Sequence, residues 1–327
     1  MQMASQGPTH YHHLNASWNP VVKGKTMVDE KTDELRNFEE IARYLNPSPG
    51  EIPQLENVDI AGLSMPLRSL IGGDHTIYID FSQRYDLDAR IAQATKAGRK
   101  EVARRLDLTR KRAGILVADV SGHRMTDAAI GAMLHQAFLV GAYYELDLYG
   151  EITTKLFEHL NTRFYKTNSI SKYFTMIYGE ISTTGKFRFI SAGHQPPAVF
   201  SREFGRFMPI CADRMVSVPP VGMLPTSDDL DDLRKPSLHG YKKRYEVNEI
   251  NLLSSGDILV LHTDGLAEHG DGEFFPTEVE ALLATHRSET AEQICGYLRE
   301  RLLDFAPQED DISVVVIKYT PSPAEEE

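Results

Sequence analysis

Four short motifs, far apart in the chain, each set an aspartate at the end of an apolar run. They are Gly72-Gly73-Asp74, Asp119-Val120-Ser121-Gly122-His123, Thr263-Asp264-Gly265 and Asp310-Asp311-Ile312-Ser313. Ile115-Leu116-Val117-Ala118 leads into Asp119, Ile258-Leu259-Val260-Leu261 leads towards Asp264, and Ser313-Val314-Val315-Val316-Ile317 follows the last pair. Carboxylates at the ends of apolar strands repel one another and are costly to desolvate. One alone is an ordinary turn residue; four, each beside a strand, ask for a shared cation. Hard oxygen donors with no accompanying cysteine or histidine cluster point to magnesium or manganese rather than zinc.

Two further blocks accompany the aspartates, and the third aspartate motif lies within a longer one. Ser191-Ala192-Gly193-His194-Gln195-Pro196-Pro197 has a Gly-His-x-Pro core, and Pro220-Val221-Gly222-Met223 holds a short Val-Gly turn. The stretch Ser255-Gly256-Asp257 through Thr263-Asp264-Gly265 to Glu268 is the most specific block. In this order, from about residue 46 to 319, they resemble the metal-dependent protein phosphatase family (PPM, type 2C), in its bacterial SpoIIE/RsbU-like branch. The resemblance implies an α+β fold: a four-layer α/β/β/α sandwich of two mainly antiparallel sheets flanked by helices. It also implies a hydrolase for phosphoserine and phosphothreonine, in which water activated between two Mn2+ or Mg2+ ions attacks phosphorus. The substrate of such a branch is a phosphorylated regulatory protein, often a STAS-type anti-sigma-factor antagonist.

By the same resemblance, Asp74 and the carbonyl of Val120 complete one cation site, while Asp264 and Asp310 complete the other. Asp119, in the most complete motif, is our choice of bridging ligand. Asp311 points away from Asp310, because adjacent residues of an extended chain face opposite ways; it reads as a hydrogen-bonding neighbour. His123 is a candidate general acid for the leaving seryl oxygen, or else a structural hydrogen-bonding group. Arg124 stands where the branch has glycine, and either meets the substrate phosphate or points into water. His194 reads as a turn-fixing residue. The family pattern Gly-Gly-Asp-Tyr-Tyr-Asp has its second acid three places after the first; here that position is Ile77 and the next acid is Asp80. Asp74 carries over and Asp80 does not.

Composition narrows the partners. A net charge of −12 argues against a general nucleic-acid or anionic-membrane binder. Only Cys211 and Cys295 occur, so no disulfide framework is expected and a reducing cytoplasm is the simplest setting. Neither a signal peptide nor an apolar run of spanning length is evident, so no membrane insertion is expected.

Along the chain, residues 1–28 read as a disordered tail and 29–50 as a linker or regulatory helix. Its stripe of Leu35, Phe38, Ile41, Ala42 and Leu45 either packs on its own domain or pairs with its copy in a homodimer. Residues 51–320 form the phosphatase-type domain, and 321–327 an acidic disordered tail. Strands are expected at 58–63, 75–81, 174–181, 186–191 and 197–200, and helices at 126–147, 151–166, 277–285 and 291–305. Residues 83–112 read as an inserted, solvent-exposed helical excursion, with a helix over 92–108. Its basic run is either a solvated face or a docking surface for an acidic partner near the metal site. Residues 202–246 read as long loops or a flap. The alternative function is a non-catalytic phosphatase-like module that binds a partner, but such a module has little reason to keep four mutually repelling acids.

Overall fold

The computed structural model describes residues 33–34, 36–37, 51–67, 72–121, 125–167, 172–210, 214–227, 237, 239–252 and 254–321. The chain divides into two compact units, Met1–Phe38 and Glu39–Glu327. In the first, the described residues Asp33, Glu34, Arg36 and Asn37 are helical. The rest of the helix expected over 29–45, including its apolar stripe, lies outside the described residues, as do the tails 1–28 and 322–327.

The second unit is built on two sheets. Strands β1 (Val58–Met65), β11 (Ile312–Tyr319), β10 (Ile258–His262), β6 (Ala198–Ser201) and β7 (Arg206–Met208) form one, in the order β1-β11-β10-β6-β7. The other has the order β2 (Asp74–Asp80), β3 (Arg112–Val120), β4 (Phe174–Ser182), β5 (Lys186–Ala192) and β8 (Ser217–Val218), with β9 (Asn248–Asn251) also pairing to β5. Every pairing is antiparallel except β5 with β8.

Side chains alternate between the two faces of a strand, and this alternation sorts the apolar residues into three layers. Ile115 and Val117 of β3, Leu259 and Leu261 of β10, and Val315 and Ile317 of β11 fill the space between the sheets. Leu116, Ala118 and Val120 face outward onto α4 (Met125–Tyr149) and α5 (Thr154–Thr167). On α4, Leu134, Phe138, Ala142 and Leu146 recur every fourth residue and form its buried stripe. Val260, Val314 and Val316 face α7 (Thr277–His286) and α8 (Ala291–Phe305), through Val279, Leu283, Ile294 and Leu298. The start of α8 is fixed by a capping box, in which Thr290 and Gln293 each bond the other's backbone N–H. Two sheets between two helical layers result, as the sequence leads one to expect.

The excursion before β3 differs from expectation. The single helix expected over 92–108 is two, α2 (Leu87–Lys96) and α3 (Lys100–Thr109), preceded by the short α1 (Phe81–Arg84). The break falls at Ala97-Gly98-Arg99, where Gly98 takes φ +73°, a conformation costly for any other residue. Nor is the excursion merely solvated, since Leu87, Ala94 and Leu106 are buried with Phe81 and Tyr85. Many of its cations are engaged within the chain: Arg105 meets Glu101 and Glu151, Arg110 meets Asp88, and Arg112 meets Glu180. Arg112 opens β3 and Asp119 nearly closes it, so about 23 Å of strand separates this basic region from the aspartates. The basic region and the aspartates thus lie towards opposite ends of β3. Within 202–246, β7 and β8 add short strands to the expected loops, and the acidic run 228–232 lies outside the described residues.

Candidate metal centre

Strand parity carries polar groups to one end of the layer between the sheets. On β3 the series Ile115, Val117 continues to Asp119; on β2 the series Tyr78, Thr76 continues back to Asp74, which pairs directly with Asp119. On the facing sheet, Leu259 and Leu261 lead to Thr263, while Ile317 and Val315 lead back through Ser313 to Asp311. Two sheet edges thus end in polar groups where their shared apolar layer stops.

Hydrogen bonds lock this end across the sheets. The Thr263 hydroxyl donates to Asp74 Oδ2 at 2.7 Å, and Ser313 N donates to Thr263 Oγ1 at 3.0 Å. Asp311 is 4% exposed, and its carboxylate accepts from Leu67 N at 2.7 Å and Gly73 N at 2.6 Å. Gly72 is required here, because a Cβ would fall 2.3 Å from the Asp311 carboxyl carbon. Asp264 opens the short helix α6 (Asp264–Glu268), with its carboxylate partly exposed. Asp310 is exposed; its carboxylate accepts from its neighbour's N–H at 2.8 Å and its carbonyl from Gln308 Nε2 at 2.8 Å, and it lines a cleft of about 440 Å³ with Gly265, Glu268, Asp271 and Glu309.

The electrostatics tie these groups together. Burial, then Asp119 and Asp311, push the Asp74 carboxyl well above the usual range, against the Thr263 and Ser313 hydrogen bonds. Burial, then Asp264, Asp310, Asp311 and Asp127, push Asp119 up to about 7. Burial, then Asp310 and Glu268, raise Asp264. The Val120 carbonyl also turns towards this end. In an antiparallel strand the N–H and C=O of one residue point to the same side, and Val120 N donates to Gly73 O at 3.2 Å. The donor set is therefore all hard oxygen, partly open to solvent and short of positive charge, which fits divalent cations completed by water. Among the described residues, no three His, Cys, Asp or Glu side chains already converge on one ion-sized position.

Other expected residues fall elsewhere. Asp80 is at the far end of β2, where it caps α1 by accepting from Gln83 N at 3.0 Å and holds Gln54 N at 3.1 Å. His194 is buried, with Nδ1 2.9 Å from Thr175 Oγ1; burial and then His262 hold its pKa down to about 3, so it is a neutral structural ring. Gly122, His123 and Arg124 lie outside the described residues. Three residues went unassigned on sequence alone: Thr263, Asp127 and Lys172. Thr263 sits inside a recognised block, but its partner Asp74 is 189 residues away. Asp127 looks like an ordinary acid in the first turn of a helix.

The family model described as Stage II sporulation protein E (SpoIIE) matches residues 109–320, more than half of the chain, and includes Asp119, Asp264 and Asp310 but not Asp74. No curated protein matches the chain. Among solved structures, the fold is similar to the RsbU and RsbW domains of a Mycobacterium tuberculosis protein, with 22% identity, TM-score 0.58, and 85% of this chain but 65% of that one covered. It is similar to the SiaA PP2C domain of Pseudomonas aeruginosa, with 14% identity, TM-score 0.57, and 89% and 97% covered. The PP2C domain of SpoIIE from Bacillus subtilis, with a fragment of its regulatory domain, gives 14% identity, TM-score 0.53, and 81% and 64% covered. At these identities the structures speak for the fold, and the family model together with the aspartate blocks speaks for the lineage: the chain belongs to the SpoIIE family, in the SpoIIE/RsbU-like branch of the metal-dependent, type 2C protein phosphatases.

Proposed function

We propose that this chain hydrolyses phosphoserine or phosphothreonine on a protein, using two Mn2+ or Mg2+ ions held by Asp74, Asp119, Asp264, Asp310 and the Val120 carbonyl. The observation that carries this reading is the meeting of four motifs at one end of the sandwich, where Asp119 feels Asp264, Asp310 and Asp311 together. When bound, two such ions supply a nucleophilic water at neutral pH and neutralise charge on the phosphoryl oxygens. Asp119, coupled to aspartates of both sheets, would be the residue shared by the two ions. Asp74 is oriented by the Thr263 hydroxyl. Asp311 contacts no ion; it fastens the Gly72-Gly73 turn, and so the start of β2, to the start of β11. Within this reading, His123 and Arg124 lie next in sequence to the bridging loop and serve the leaving oxygen and the substrate phosphate.

The branch, and the RsbU and SpoIIE names of structural neighbours, support a phosphorylated regulatory protein as substrate, with a STAS-type anti-sigma-factor antagonist as the specific candidate. No described helix is long and apolar enough to cross a membrane. Phosphate release from phosphoserine and phosphothreonine peptides, with manganese and with chelator, tests the activity. Release that requires metal and disappears in Asp119→Asn is expected. No release from any phosphopeptide at millimolar manganese would favour the partner-binding module instead.

A further inference from the structure

Lys172 lies just ahead of β4 and reaches back to the segment that follows Asp119. Its ammonium donates to the Ser121 carbonyl at 2.6 Å and meets Asp127 Oδ1 at 2.8 Å. The Asp127 side chain is fully buried in the first turn of α4, while that of Lys172 is 26% exposed. Ser121 follows the last residue of β3 and Asp127 belongs to the start of α4, so one lysine holds both sides of the connection that bears Gly122, His123 and Arg124.

A buried ion pair is a weak source of net stability. Desolvating both charges offsets most of their attraction, and an apolar pair of similar shape often does as well. The consequence of this pair is geometric. Val120 N donates to Gly73 O on the β2 side, whereas Ser121 N donates to Tyr173 O on the β4 side, both at 3.2 Å. Successive residues of the strand alternate in this way. The Ser121 carbonyl therefore faces β4, where Lys172 takes it, and the Val120 carbonyl faces the Gly72-Gly73 turn beside Asp74. Beyond Val120 the regular ladder of β3 gives way to the single Ser121–Tyr173 bond, and Lys172 adds a second hold at the Ser121 carbonyl. It also pairs with Asp127, an anion within electrostatic reach of Asp119.

We propose that Lys172 and Asp127 form a clamp that sets the peptide after Asp119, presenting the Val120 carbonyl and the Asp119 carboxylate in the geometry a cation needs. Both are positioning residues, and the proposal rests on the two-cation reading above. Outer partners of this kind typically contribute about 10–100-fold to metal affinity.

The test compares wild type, Lys172→Met and the double variant Lys172→Met/Asp127→Leu, by calorimetric titration with manganese and by melting of the metal-free proteins. Lys172→Met should bind manganese about tenfold or more weakly, with part of its lost hydrolysis recovered as manganese is raised. It should also melt lower, because it takes the Lys172 counter-charge from a fully buried carboxylate. The double variant removes that charge, and should regain the wild-type melting temperature without regaining manganese affinity. Should Lys172→Met not fold, the double variant carries the comparison alone. Wild-type manganese affinity in either variant overturns the clamp. A wild-type protein that takes up no manganese contradicts the two-cation reading, and the clamp falls with it.

Discussion

Asp310 and Asp311 are adjacent, yet their surroundings assign them different work. Asp311 is buried and gives each carboxylate oxygen to a backbone N–H, from Leu67 and Gly73. Asp310 is exposed at the cleft and coupled to Asp119 and Asp264. Asn at position 311 would turn an amide NH2 towards one of two backbone donors, one buried and one partly buried, at a cost of about 1–3 kcal/mol. Asp311→Asn should therefore lower the melting temperature of the metal-free protein, and Asp310→Asn should leave it unchanged or raise it slightly while weakening manganese binding. If the two variants trade these effects, the inner and outer roles are reversed. Reading this pair from sequence was possible because strand parity separates neighbours. No such rule connects Lys172 to Asp127, or Thr263 to Asp74, since these contacts exist only after distant strand ends have been brought together.

The elements that place the centre are the ones with the plainest patterns. The strands β3, β10 and β11 are apolar runs on both faces, as expected of strands covered by helices on one side and by a second sheet on the other. Short elements gave no such signal: β7 and β8 are three and two residues long and are defined by their partners. The break between α2 and α3 was also missed, because a glycine in a basic, helix-favouring stretch is tolerated as often as it interrupts. Element packing makes its own prediction at Gly265, in the first turn of α6. A Cβ there would lie 2.0 Å from the Asp311 carbonyl oxygen, a backbone atom that cannot swing aside. Gly265→Ala should push α6 from the start of β11 and separate Asp264 from Asp310. A loss of about 1–3 kcal/mol in stability is expected, together with a higher manganese requirement for hydrolysis. Unchanged melting and unchanged manganese dependence would show that α6 and β11 do not need this close approach.

For the molecule as a whole, the sandwich gathers mutually repelling acids at one end, and on the two-cation reading bound metal would offset that repulsion. The sign of the pH dependence follows. Asp74, Asp119 and Asp264 are all raised, Asp119 to about 7. The metal-free folded state therefore holds protons that the unfolded chain, with ordinary carboxyls near 4, has already released. Between about pH 4 and 7 these groups make the metal-free protein less stable as pH rises. His75 and His194, kept neutral by burial with pKa values of about 3, act in the opposite direction, since the unfolded chain takes up their protons as pH falls. With folded-state values of about 3, both rings stay neutral in the metal-free folded protein from pH 5 upward. The gain in melting temperature on adding manganese should accordingly grow from pH 5 to above 7, because the ligands must lose their protons to bind. A gain that is flat over that range would mean the metal is held elsewhere.

The most direct measurement of the central claim is calorimetric titration of manganese into the chelator-stripped protein at pH 8, beside Asp119→Asn. Two ions per chain are predicted for wild type, with weaker binding and a lower stoichiometry when the bridging charge is gone. Binding to Asp119→Asn with wild-type affinity and number, or no binding to either protein, would contradict the account.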